Sequence, residues 1–443
     1  MKNKILPKVA LGISLLIVTT WTLCPTAIAA SQGVDQGKIT DAIIEIKKIM
    51  NASAPADAKI DTGPPTPDEI REYSDMFNRA KKLMDDPKTW NKIPPNITLC
   101  VFSPEGAKGE AFDFAMKAVK DLPKFSQIAK SLGVDLEARM TSPFDMHIDM
   151  ASSTARRKAS TDVKIRIYTN EKIASEDFKA GQCDGVGMSS LRAKEYNNFV
   201  GTLNAIGAIP SYDQLTEAIH LLSKPEAANF MVNKDYEIVG IIPVGAAYIM
   251  VNDRRINTLA KAAGKKIAVM DFDRTEEKLV QKIGGQPVSV DLTTLSGKFN
   301  NGQVDIIAGP ALIFKPLELY KGMTGPDGAT RGAIVRFPLI QLTGVIMMHR
   351  GKFPDGVGQL VREFSAMQTK LAYPFIQKTE QSIDPKYWME VPNADKAGYI
   401  KLMRESRISL MKEGLYDAQM LRFLKKIRCQ FDPTNYECSM TDE

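Results

Sequence analysis

The chain has 443 residues, 44% of them hydrophobic and 25% charged, with a formal net charge of +6. Its basic residues are dispersed, and the runs Arg156-Arg157-Lys158 and Asp253-Arg254-Arg255 are too brief for a nucleic-acid surface. Beyond the N-terminal leader no stretch reaches the roughly 18 apolar residues of a membrane helix; Ile238 to Val251 and Phe337 to Met348 are short, broken by Gly or Pro, and read as core strands.

Residues 1–29 read as a secretory signal peptide. Lys2, Lys4 and Lys8 precede the apolar run Val9 to Cys24, and Ala27-Ile28-Ala29 forms a small-residue cleavage site. An uncleaved anchor or a lipoprotein tethered through Cys24 are the alternatives, the second opposed by bulky Leu23. The remaining chain, roughly 410 residues, suffices for two or three domains. It keeps Cys100, Cys183, Cys429 and Cys438, an even number in an oxidising compartment. Sequence allows three pairings, or free buried thiols. Cys429–Cys438, closing a short tail loop, is expected, together with Cys100–Cys183 if the strands bearing them are neighbours in a two-lobed fold.

Residues 30–94 form a helical extension. Its first helix spans Lys38 to Met50, with Ile39, Ile43, Ile44, Ile46 and Met50 as its apolar positions, and an Ala/Pro/Asp/Gly loop comes after it. The second opens on Thr66-Pro67 with Glu69 completing a capping box, and runs to about Met84. This layer is too thin for a core of its own and must lean on the main domain.

Ile97 to Phe102 is the first central strand. Ser103 to Gly106 turns into a long helix, Gly109 to Leu132, with Phe112, Phe114, Ala115 and Ala118 on its buried side and Pro123 as a kink or a break. Val134 to Met140 and Val163 to Tyr168 compete for the next sheet position, with Thr141 to Thr161 an excursion between them. A helix over Leu191 to Phe199, others at Tyr212 to Leu222 and Pro225 to Phe230, and a crossing strand from Ile238 to Ile249 complete a first lobe at 95–250. The second occupies 251–332, where Asp273 and Glu276 read as another capping box. Residues 333–352 return to the first lobe with a break near Pro338, and 353–443 wrap both lobes in helices, one of them spanning about Asp395 to Lys426.

The clearest internal signal is a repeat. Phe178-Lys-Ala-Gly-Gln-Cys-Asp184 returns as Phe299-Asn-Asn-Gly-Gln-Val-Asp305. In each a helix stops at a glycine able to take the left-handed conformation, and an acidic residue at the rim leads into a small buried strand. Two α/β lobes of related build are expected rather than one large sheet, unless the match is an accident of ordinary helix–strand turns.

Ile165-Arg-Ile-Tyr-Thr-Asn170, Lys179 to Asp184, Val251 to Ile256, Ala263 to Val269 and Phe299 to Asp305 resemble the periplasmic solute-binding proteins of TRAP-type dicarboxylate transporters. A closer likeness, in Phe178 to Asp184 and Leu191-Arg192, is to the divergent branch of solute-binding proteins sometimes labelled as components of RND efflux systems. The resemblance implies a type II, hinge-linked periplasmic binding fold, a small organic ligand, an inner-membrane transporter component or an efflux partner, and no cofactor. One departure matters. The family's clamp arginine falls at Ala268, and a methyl group cannot make the two directed bonds a guanidinium gives a carboxylate. Arg192 or Arg274 would have to substitute.

Ligands in such lobes meet strand C-termini and the helix starts beyond them. That selects Ser103 and Glu105, Tyr168 and Thr169, Ser189, Ser190 and Arg192, Asp271 and Arg274, and Gly309 and Pro310, with Asp273 more simply a helix cap. An enzyme is not expected. His147, His220 and His349 lack metal-ligand spacing, and no nucleophile elbow or phosphate loop occurs; a carboxylate-only hydrolase needs no motif and stays open, as does an envelope interaction protein on the same fold.

Overall fold

A computed structural model describes residues 34–53 and 63–443. The leader over 1–29, most of the loop after the first helix, and the side chains of Phe114, Ala115 and Ala118 lie outside the described residues.

Helices α1 (Gln36–Ser53) and α2 (Pro67–Asp85) open the chain. Ile39, Ile43, Ile46 and Met50 are buried at helical spacing, whereas Ile44 is 38% exposed and off the apolar stripe. The capping box is present: Thr66 Oγ1 accepts from the Glu69 N–H at 3.2 Å, and Glu69 Oε2 accepts from the Thr66 N–H at 2.8 Å. As expected, this layer shares its core. Its isoleucines and Phe77 pack with Phe125 and Ile128 of a later helix and with Leu371 near the other end of the chain.

The one-turn α3 (Pro87–Trp90) precedes β1 (Asn96–Phe102), and α4 (Glu110–Ser131) runs unbroken through Pro123. Next come β2 (Leu136–Met140), β3 (Asp145–Ser152) and β4 (Arg157–Tyr168). Of these three only β4 pairs with β1, in parallel; β2 is a sheet edge, and the expected excursion between them holds β3 and the start of β4. Then come α5 (Glu171–Lys179), β5 (Gly185–Ser189), α6 (Ser190–Ala193) and α7 (Asn198–Gly201). The single helix expected over Leu191 to Phe199 is therefore two. Asn197 is extended, with φ −146°, and its side chain accepts from the Val200 N–H at 3.0 Å, so it starts a helix instead of continuing one.

After α8 (Tyr212–Ser223) and β6 (Val232–Asn233), β7 (Tyr236–Val251) crosses to the second lobe, built from α9 (Leu259–Ala262), β8 (Lys266–Met270), α10 (Arg274–Lys282), β9 (Gln286–Val290), α11 (Leu292–Asn300) and β10 (Ile306–Pro310). β11 (Ala333–His349) returns, shifting register on either side of Pro338. The wrap is α12 (Val357–Gln381), β12 (Trp388–Met389), α13 (Asn393–Lys412) and α14 (Ala418–Phe431). The long final helix is also two: Gly414 sits at φ +74°, and the Asp417 side chain caps α14 by accepting from the Gln419 and Met420 N–H groups.

The architecture is a two-lobed α/β periplasmic binding fold of type II with extra flanking helices. Its lobes nevertheless share one hydrogen-bonded ladder, ordered β2-β3-β4-β1-β5-β11-β7-β10-β8-β9. Separate sheets were expected. β7 and β11 run antiparallel through both lobes, β11 also bonding to β5 and β7 also to β10, so the ladder never breaks. Each lobe keeps its own core, around Phe178, Leu215 and Leu424 in the first and around Phe299, Val304 and Phe314 in the second. Both expected disulfides are present, Cys100–Cys183 and Cys429–Cys438.

Candidate ligand-binding cleft

The repeated Gly-Gln-x-Asp turns sit at the strand starts, the end of each lobe away from the cleft. Gly181 and Gly302 have φ of +75° and +67°. The Asp184 N–H donates to Thr98 O at 2.7 Å while its Oδ2 accepts from the Thr98 N–H at 2.7 Å. Asp305 does the same on Lys266, at 2.7 and 2.9 Å. Each carboxylate thus takes the N–H of the residue just before a parallel pairing begins, Thr98 ahead of Leu99–Gly185 and Lys266 ahead of Ile267–Ile306, an N–H the ladder alone leaves unpaired. The motif is structural, and the candidate binding positions lie at the opposite strand ends.

On the first lobe's rim, Ser103 closes its own turn. Its N–H donates to Tyr168 O at 2.9 Å and its hydroxyl to Gly106 O at 2.7 Å. The Tyr168 hydroxyl donates to Asp177 Oδ2 at 2.7 Å, and burial together with that bond raises its pKa. Glu105 and Thr169 are exposed.

Beyond β5 the rim becomes denser. Ser189 Oγ accepts from the Arg192 N–H at 3.2 Å and caps α6, and the Ser189 N–H donates to Glu171 Oε1 at 2.6 Å. Arg192 Nε donates to Glu171 Oε2 at 3.2 Å, both side chains being buried, and its guanidinium lies 3.8 Å from the centre of the Phe272 ring. Phe272 belongs to the second lobe, so this cation–π contact spans the cleft. Lys194 spans it too, donating to Thr275 Oγ1 at 2.6 Å, and Lys278 reaches Glu413 of the helical wrap at 3.5 Å.

On the second lobe's rim Asp271 and Arg274 are exposed. Asp273 caps α10 through the Thr275 N–H at 2.8 Å, but Glu276 does not complete a capping box: it accepts from the Met270 N–H at 2.7 Å. Burial, then the neighbouring Asp273 charge, pushes Glu276 up to about 8, and burial pushes Lys194 down. Gly309 and Pro310 are buried in β10 opposite Tyr248 and Ala247, and a side chain on Gly309 would meet Ile313 at 2.6 Å. Ala268 pairs with Val288 and packs against the core that holds Val304.

Sequence reasoning named Ser190 but missed its partners in the row at the crossing itself. The Thr343 hydroxyl donates to Asn204 Oδ1 at 3.2 Å, so the 2.6 Å contact with Ser190 has the serine as donor, and the Thr343 N–H also reaches Asn204 Oδ1 at 3.0 Å. All three residues are buried, and Asn204 Nδ2 has no partner. Gln341, on the same face of β11 by its two-residue alternation, is buried with Oε1 unpaired. The available signal was Gln341 and Thr343 interrupting the otherwise apolar run Phe337 to Met348. Below the row, Glu380 Oε1 accepts from the Tyr212 and Tyr248 hydroxyls at 2.6 and 3.1 Å, which ties α12 to the crossing; burial raises the Glu380 pKa.

No helix among the described residues is long and apolar enough to cross a membrane, and no group of His, Cys, Asp and Glu among them has the makings of a metal site. Among solved structures, the chain is similar to a TRAP periplasmic solute-binding protein from Desulfovibrio salexigens with bound orotic acid, at a TM-score of 0.56 and 12% identity over 76% of this chain and 99% of that one. It is also similar to one from Shewanella oneidensis with bound succinate, at 0.54 and 12% over 75% and 99%. These likenesses establish the fold. In sequence, the chain is 47% identical over 282 residues to the probable solute-binding protein AdeT1 of Acinetobacter baumannii, covering 64% of this chain and 91% of that protein. To the probable solute-binding protein AdeT2 of the same organism it is 29% identical, over 55% and 100%. The family described as solute-binding protein AdeT 1/2 matches residues 50–443, so the chain belongs to that family of solute-binding proteins.

Proposed function

We propose that the chain works in the periplasm, capturing a small polar or anionic organic molecule between its lobes, at 95–250 and 251–332, for delivery to an inner-membrane carrier. The observation that carries this is the buried polar row at the crossing, where Asn204 Nδ2 and Gln341 Oε1 lack partners. Unpaired buried amide atoms are costly, and a ligand supplying an acceptor and a donor there removes the cost. The similar solved structures hold orotate and succinate, both polar anions.

Ser189, Ser190 and Arg192 approach the ligand from the first lobe, with Asn204, Gln341 and Thr343 beneath it. Ser103, Glu105, Tyr168, Thr169, Asp271, Arg274, Gly309 and Pro310 form the outer walls. With Ala268 in the clamp position, an acidic ligand meets Arg192, which spends Nε on Glu171 and leaves its terminal nitrogens without a hydrogen bond among the described residues. Binding across both lobes favours the closed form by differential affinity.

A second reading, an envelope docking protein on the same fold, draws on Arg192–Phe272 and Lys194–Thr275, which close the cleft through protein contacts alone. Native mass spectrometry of freshly purified protein, then calorimetry with succinate, orotate and glucuronate, separates the two. Arg192→Met paired with Glu171→Gln removes both charges together and should weaken an anion by about 2 kcal/mol or more. No retained molecule, no binding from this panel, and small-angle scattering unchanged at the highest concentration of each compound would leave the docking reading alone.

A further inference from the structure

A hollow lies away from the cleft, beneath the helical extension. Helices α1, α2, α4 and α12 pack over the outer strands β2 and β3 and leave a half-open cavity of about 270 Å³. Its walls are apolar, with Ile46, Phe77, Phe125, Ile148 and Met367 drawn from five different elements, and no charged side chain lines it. Two polar residues do. Ser126 is satisfied, its hydroxyl donating to Pro123 O at 2.7 Å and accepting from the Ala138 N–H at 3.2 Å. Gln368 is not: Oε1 and Nε2 are both buried without a partner.

A glutamine facing such a hollow with both ends of its amide unpaired carries a penalty that leucine or methionine would avoid. A molecule presenting one donor beside one acceptor removes it. We infer that this cavity is a second binding site, for a small uncharged amphiphile whose apolar body fills the hollow and whose amide-like head pairs with Gln368. The ligand is uncharged because nothing in the lining compensates a buried ion. A dry apolar cavity of about 150 Å³ accepts benzene, so this one takes roughly ten heavy atoms. The site does not rest on the cleft reading. Ile46 comes from α1, most of which precedes residue 50, where the family match begins.

Octanamide has that size and head. Calorimetric titration of the full chain should give saturable binding, with octanoate at neutral pH weaker by at least about tenfold. Gln368→Leu, close in volume, should weaken octanamide by about tenfold while raising the melting temperature, because the unpaired amide is gone. Ala129→Leu, which fills the hollow, should abolish binding; if that variant fails to fold, Gln368→Leu decides. Thr343→Val at the cleft should leave octanamide binding unchanged. The inference is overturned if octanamide does not bind wild type, if Gln368→Leu binds it as tightly, or if Thr343→Val loses it.

Discussion

The strand starts of the two lobes repeat each other, and their cleft rims do not. At the bases Phe178 and Phe299 are both fully buried, and Asp184 and Asp305 clip the neighbouring strand through the same pair of hydrogen bonds. Registers match as well, Leu99 with Gly185 and Ile267 with Ile306. One difference stands out. Cys100, two residues beyond the clipped Thr98, is bonded to Cys183, whereas the equivalent positions of the second lobe hold Ala268 and Val304. Ala268, where the resemblance would set a clamp arginine, is thus, like Cys100, a residue that packs inward. At the rims the first lobe pairs Glu171 with Arg192, while the second sets Glu276 beside Asp273, with Lys194 of the first lobe as the cation acting on it. A feature that starts a parallel strand is constrained by backbone geometry alone, so both copies retain it. A rim is constrained by what it contacts across the cleft, and the two rims contact different things.

Removing the shared anchors tests the likeness most severely. Phe178→Ala and Phe299→Ala should each cost about 3–5 kcal/mol, the range for a buried phenylalanine, in urea unfolding. If one is nearly silent, the two bases are alike in geometry only. The next test converts one base into the other. Cys100→Ala with Cys183→Val installs the second lobe's apolar pair in the first and removes a crosslink spanning 83 residues. The expected loss is about 2–4 kcal/mol, read against wild type under oxidising conditions. A loss within error would mean that packing at these positions, and not the crosslink, holds the first lobe together.

How much of the molecule was legible in sequence depended on range. The Thr66–Glu69 box, the left-handed glycines and the strand alternation are local signals, and each appears in the structure where its residues put it. The continuous ladder was illegible, because the joining of two sheets by β7 and β11 depends on pairings between distant segments. The helix over Leu191 to Phe199 failed for a local reason: Asn197 reads as a surface residue until its side chain is seen capping Val200. The rim positions could be named from topology, but their partners could not. Ser190 and Thr343 are 153 residues apart, and Thr343 and Asn204 are 139 apart. Nothing near Arg192 announces that Phe272 will cover it.

The smallest expected effect sharpens the difference between the rims. Glu276 accepts one backbone N–H, from Met270, while Asp273 lies close and Lys194 arrives from the other lobe to bond Thr275. Burial and the Asp273 charge raise the Glu276 pKa from its usual 4.5 to about 8 in the folded chain. The folded state therefore holds that proton more tightly than the unfolded state does. The stabilisation is complete below about pH 4.5 and is lost as pH rises through about 8. Lys194, pushed down by the same burial, contributes with the opposite sign but is present in both proteins of the comparison. Glu276→Gln keeps an acceptor for the Met270 N–H and cannot ionise, so it should flatten the decline. Glu276 is only half-buried, so solvent screening reduces the effect to about 1 kcal/mol. Calorimetric melting at pH 5, 6.5 and 8 should show wild type falling relative to the variant by a few degrees, at about 2–4 °C per kcal/mol for a large domain. Parallel curves would mean that Glu276 ionises at an ordinary pH and that the second rim tolerates its charge as readily as the first, where Glu171 has its arginine.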